Sequence, residues 1–83
     1  MTHELKTHPL FFKDIVSGIM RFNVRKNDRN FKDGDFVKFR EYVPWRNRPY
    51  TGRKFIARIT YVLRHEDFPE GINPGYCVFG FRV

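Results

Sequence analysis

Gly18-Ile19-Met20-Arg21-Phe22-Asn23-Val24-Arg25-Lys26-Asn27-Asp28-Arg29 is the stretch on which the reading of this chain turns. Its glycine is a stop signal for a short preceding helix. The residues after it alternate apolar Met20, Phe22 and Val24 with polar Arg21, Asn23 and Arg25. A period of two sends the two sets to opposite faces of a strand. The expected strand runs from Ile19 to Arg25, its apolar set turned to a core and its polar set presented outward. It leads into the basic cluster Arg25, Lys26 and Arg29. Arginine grips phosphate bidentately and stacks on bases, so this surface points towards nucleic acid.

Upstream, His3-Glu4-Leu5-Lys6 reads as a first strand. Thr7 or His8 can cap a helix with Pro9 in its first turn, where the missing N–H costs little. Phe11, Phe12, Ile15 and Val16 form an apolar stripe at helical spacing. Downstream, Lys26 to Gly34 reads as a polar connection closed by the turn Asp33-Gly34-Asp35. Phe36 to Tyr42 is a strand with Val37 and Phe39 inward and Lys38 and Arg40 outward. Pro44 to Gly52 is a loop. Arg53 to Arg64 is the longest strand, with Phe55, Ala57, Ile59, Tyr61 and Leu63 sharing one face. Tyr76 to Val83 closes the chain with Cys77, Phe79, Phe81 and Val83 on the core side. Five to six short strands and one early helix predict an α+β domain, a small curled sheet or barrel plugged by the helix.

With 83 residues the chain makes one domain. Its ten Phe, four Tyr and one Trp supply a bulky core in spite of a mean hydropathy of -0.57. Neither a membrane-spanning run nor a leader is read in the sequence. Cys77 is a lone cysteine, so no intrachain disulfide forms, which fits a cytoplasmic setting. The net charge is +7. Between Arg21 and Lys54 eleven lysines and arginines face four acids, so this one stretch holds the entire excess. That is the electrostatic footprint of a polyanion binder.

The candidate binding residues follow from this. Arg21, Asn23, Arg25, Lys26 and Arg29 belong to the basic strand and its exit, and Lys6 of the first strand lies within reach of it. Trp45, Arg46, Arg48 and Tyr50 interleave aromatic and cationic groups on one loop, a mixture suited to stacking bases while charge follows the backbone. His3, His8 and His65 fall at no metal-ligand spacing, so no metal is expected. There is no glycine-rich phosphate loop, and no cofactor is expected.

The order strand, helix, Ser17-Gly18, polar strand ending in Arg25, Asp-Gly-Asp turn, long strand and closing strand resembles the ASCH domain, a member of the PUA-like superfamily of small β-barrels. Gly18 and Arg25 match its signature Gly-x-Lys-x-x-Glu-x-Arg. His3-Glu4-Leu5-Lys6, Arg25-Lys26-Asn27-Asp28-Arg29 and Tyr50-Thr51-Gly52-Arg53 look like a subgroup found in bacteria and their phages. The resemblance implies recognition of RNA or a modified nucleoside in a cleft between helix and barrel. Some members hydrolyse the amide of acetylated cytidine, and the resemblance places their catalytic lysine at Met20 and their threonine at Asn23. A thioether is no base, so catalysis is not expected and no catalytic residue is assigned. A nucleoside amidohydrolase using Lys6, Asn23 and Tyr76 is the alternative reading. A third is an accessory protein that binds an acidic protein by charge.

Overall fold

Two strands that follow one another in sequence, β1 (Thr2–Thr7) and β2 (Phe22–Lys26), form the opposite edges of a single sheet. The computed structural model describes residues 1–83. Between these strands in the chain lies α1 (Pro9–Ser17), and β3 (Phe36–Tyr42), β4 (Tyr50–Arg64) and β5 (Tyr76–Arg82) follow. The sheet order is β1-β3-β4-β5-β2. β1 runs parallel to β3, and every other pair is antiparallel. The sheet curls until its edges nearly meet: Arg25 on β2 donates from Nη2 to the carbonyl of Lys6 on β1 at 2.8 Å. No β1–β2 ladder closes the ring, so the expected barrel is a five-stranded half-barrel with a seam.

The helix packs one side, Phe12 and Ile15, against the core of the curl and leaves the other side exposed. His8 is its N-cap and accepts the Leu10 N–H on its imidazole at 3.1 Å, relieving one of the unpaired first-turn amides. Gly18 ends it at φ 87°, a left-handed conformation that suits glycine. Of the stripe Phe11, Phe12, Ile15 and Val16, only Phe12 and Ile15 are buried. A nine-residue helix in a small half-barrel has one narrow contact line, and Phe11 and Val16 flank it.

β3 and β5 take the expected phase, except that Val83, expected on the core side, lies past the end of β5 and is exposed. Val37, Phe39, Cys77, Phe79 and Phe81 face the core with Leu5, Ala57 and Ile59. β4 does not keep a single phase. Its register against β5 shifts between Ile59 and Tyr61, a bulge at Thr60, so the buried residue beyond it is Val62, while Tyr61 is exposed. A bulge inserts one unpaired residue and reverses the alternation after it.

β2 also reverses the sequence reading. Asn23 and Arg25 stand opposite Phe79 and Cys77 of β5, which face the core. Register partners share a face, so Asn23 and Arg25 turn inward while Phe22 and Val24 turn outward and are about half exposed. Alternation separates the two sets but does not say which is inside. Here the decision falls to the seam, where the Lys6 carbonyl needs a donor.

The segment read as a polar connection holds a core residue. Phe31 is 1% exposed, with its ring 4.8 Å from His3 and 5.1 Å from Phe79. The turn that follows runs along the β4 bulge and completes its hydrogen bonding. Gly34 N–H donates to Ile59 O at 2.8 Å and Ile59 N–H to Asp35 O at 2.7 Å. The Val62 N–H donates to Asp33 Oδ1 at 3.0 Å.

Asp35 closes this corner, 2.8 Å from His3 Nε2 and accepting the Lys32 N–H at 3.2 Å. The His3 contact is the main reason its carboxyl lies below the usual aspartate value. A depressed folded pKa contributes stability in full above the ordinary value of about 3.9. That contribution is lost as pH falls below it towards the folded value. Thermal melts should therefore show Tm dropping below pH about 4, and Asp35→Asn should flatten that drop. An unchanged acid limb in the variant would assign the loss to other carboxylates.

No helix is long and apolar enough to cross a membrane.

Candidate functional site

The seam between the sheet edges opens into a cleft of about 660 Å³. Its walls come from three places. The end of β1 and the cap of α1 supply Lys6, Thr7 and His8, and the outer side of α1 supplies Phe11 and Asp14. The turn after Gly18 and the strand β2 supply Ile19, Met20, Phe22, Asn23, Val24 and Arg25. The volume falls within the roughly 300–1,000 Å³ of small-molecule sites, and the apolar walls with few converging polar groups fit the same class. Phe11, Ile19, Phe22 and Val24 are between 48% and 79% exposed. Apolar side chains left open around one hollow make it the candidate site of this fold.

Arg25 is the polar centre of this cleft. Its Nε donates to Asn23 Oδ1 at 2.6 Å, and Nη2 donates to Lys6 O. Burial lowers its pKa and the charge of Arg29 adds to the effect, with Asp28 opposing them. Arg25 belongs to none of the ion pairs in the fold. A half-buried guanidinium that lacks a carboxylate partner keeps Nη1 as a charged donor, and desolvation strengthens what that donor can do for an incoming acceptor. Asn23 is 6% exposed and engages its oxygen with Arg25, which leaves its amide N–H groups as donors. Met20 is anchored by its N–H on Asp14 O at 3.0 Å and presents only a thioether.

Of the residues that the sequence proposes, Lys6, Asn23 and Arg25 come together here. Trp45 is 70% exposed and reaches the rim through His8, the ring centroids 5.6 Å apart. Arg46 and Arg48 are exposed on the same loop. Arg21 is exposed beside Gly18 at the end of the helix. Lys26 faces outward opposite Tyr76. Arg29 lines a separate small hollow with Met1, Asn30, Lys32 and Asp35. Tyr50 lies on the outer sheet face, under Arg40 and against Tyr42. The basic stretch is continuous in sequence and divided in space. In the alternative set Lys6, Asn23 and Tyr76, the tyrosine is outside the cleft, at the Lys26 pair.

Thr7, His8, Phe11 and Asp14 line the cleft without being marked by the sequence reading, and Met20 packs against the core as expected while also forming part of the cleft wall. One signal was available. The stripe Phe11, Phe12, Ile15 and Val16 holds more bulk than a helix this short can bury, so part of it had to face something else.

Fold and site together define a small α+β protein, a curled mixed sheet with one helix packed on it and a cleft along its open seam. The chain belongs to a family described as a domain of unknown function (DUF3850), whose model matches residues 2–81. It is also similar to an uncharacterized 12.9 kDa protein in the GpA 3' region of Escherichia phage P2. The two are 40% identical over 68 residues, which is 82% of this chain and 60% of the phage protein. The match thus spans less than two thirds of that relative's length.

Proposed function

We propose that this chain is a binding module for RNA or a modified nucleoside, the base entering the seam cleft between α1 and β2. One observation carries the reading: an apolar-walled cleft of nucleoside size in which a half-buried arginine without a carboxylate partner converges with a buried amide. The apolar walls suit a base, and the Arg25 and Asn23 donors suit its carbonyl edge. The resemblance to the ASCH domain supports the same location, since Gly18 and Arg25 are its matching positions and both border or line this seam. A PUA-like ancestry fits a curled sheet plugged by a helix. Met20, at the position where the family's hydrolases keep lysine, lines the cleft without offering a base, which favours binding over hydrolysis.

Titration with acetylated cytidine and with cytidine tests this, followed by NMR of the Met20 methyl and the Asn23 side-chain amide. Both signals should shift together with those of Phe11, and the exposed Lys26 and Arg48 should stay still. Shifts scattered over the surface, or none at saturating nucleoside, would remove the proposal. Release of acetate from the first ligand would restore the hydrolase reading.

A further inference from the structure

The outer face of the sheet carries an arrangement that folding alone does not favour. Register places Lys6 of β1 opposite Arg40 of β3, and Arg40 opposite Lys54 of β4. Towards the other end of the same face Arg58 stands opposite Arg82. Like charges directly across a sheet repel and destabilise it, yet three such pairs share this surface. Lys38 adds a further cation between them. One outward carboxylate answers, Glu4, at 3.4 Å from Arg40 and 3.8 Å from Lys38. Glu41, the other acid of β3, is buried on the inner side and accepts from Thr51 Oγ1 at 2.9 Å.

Rings hold three of these cations, and of the three only Arg40 also meets an acid. The Arg40 guanidinium lies 4.0 Å from the Tyr50 ring centroid, Lys6 Nζ 4.9 Å from that of Tyr42, and Arg58 5.6 Å from that of Phe36. A ring beneath a guanidinium orders it while its N–H fork stays free, whereas a carboxylate would occupy the fork. Glu4 is shared by Arg40 and Lys38 while Lys6, Lys54, Arg58 and Arg82 have no carboxylate partner, so the face keeps a net positive charge. Neighbouring strands are about 4.8 Å apart, so Lys6, Arg40 and Lys54 make a short cationic ladder. Lys6 also borders the cleft, which puts the first rung at the cleft mouth.

We infer that this face is the track for the phosphate backbone of a single-stranded RNA whose base occupies the cleft. The inference rests on the cleft reading and deepens it: the ligand is a polynucleotide, leaving the cleft at Lys6 and crossing Arg40 towards Lys54. A duplex keeps its bases stacked inside and cannot fill the cleft while lying on the ladder.

The test compares the wild-type chain with the double variants Arg40→Gln/Lys54→Gln and Arg58→Gln/Arg82→Gln. Binding of a short single-stranded RNA is measured over a salt series, and binding of free acetylated cytidine at one salt concentration. The slope of log K against log salt should flatten by about 1.4 in the first variant, about 0.7 for each phosphate that is no longer neutralised. Nucleoside affinity should not change, and Tm should stay close to wild type, since relief of the opposed charges offsets the lost Glu4 pair and Tyr50 stack of Arg40. The Arg58/Arg82 variant should flatten the slope as well, and it reports on the track even if the first variant melts early. Unchanged slopes in both would overturn the inference, as would equal affinity for RNA and for polyglutamate. A wild-type chain that ignores the free nucleoside while its RNA slope still responds would strike the cleft reading and leave the track in place.

Discussion

Phe31→Ala should be among the most damaging single substitutions in this chain, costing about 3–5 kcal/mol as a fully buried aromatic truncated to a methyl. At about 0.05–0.15 kcal/mol per residue a domain this small has a narrow margin. A loss of that size corresponds to a Tm lower by about 12 °C or more. Phe31 is the only side chain of the 27–35 segment in the core, and it packs against His3 of the first strand and Phe79 of the last. Removing it opens a void between these strands and also unpins the turn that serves the β4 bulge. The Phe31 carbonyl accepts Arg64 Nη2 at 2.8 Å, so the same residue ties down the end of β4. Phe36→Ala is the control, since Phe36 is 43% exposed on the outer face, and about 1 kcal/mol or less is expected there. Circular dichroism melts of both variants decide the matter. Equal Tm losses would mean that the loop is not anchored through its ring.

Phe31 also shows what the sequence could not reveal. A lone phenylalanine between Asn30 and Lys32 has no periodic partner, so nothing local marks it as core. β3 and β5 were legible because each alternates without interruption and is paired along its length. β4 looks equally regular on paper, yet the phase breaks at Thr60. The group that makes the break tolerable, Asp33, lies 29 residues from the amide it satisfies. That kind of information belongs to the tertiary structure. β2 failed in a different way. Its alternation is clean, but its polar set is the inner one, because burial of Asn23 and Arg25 is offset at the Lys6 carbonyl across the seam. The site follows the same pattern. Arg25 stands out in the sequence for its charge and is central for its geometry, while Arg21, Lys26 and Arg29, its neighbours in sequence, point elsewhere.

Arg25→Ala is expected to reach both stability and binding, and comparison with Arg25→Lys separates them. The alanine variant leaves the Asn23 oxygen and the Lys6 carbonyl without their donor, at about 1–3 kcal/mol for each group that water does not reach. The damage should be local. β2 has five residues and its only ladder is with β5, so losing the link to β1 frees it to open without the rest of the sheet. Amide exchange at Asn23 and Arg25 should then accelerate, while Phe39 and Ala57 in the centre keep their protection. Lysine retains the charge but offers no fork, so it cannot serve Asn23, the Lys6 carbonyl and a ligand at once. Its exchange pattern should stay nearer wild type, with nucleoside affinity reduced more than about tenfold, a change of about 1.4 kcal/mol. Unchanged exchange at β2 in the alanine variant would show that the seam is held by packing of the helix. In that case Arg25 would be free to serve the ligand alone. Unchanged nucleoside affinity in the lysine variant would limit the residue to charge, and the carbonyl-edge contact would have to come from Asn23.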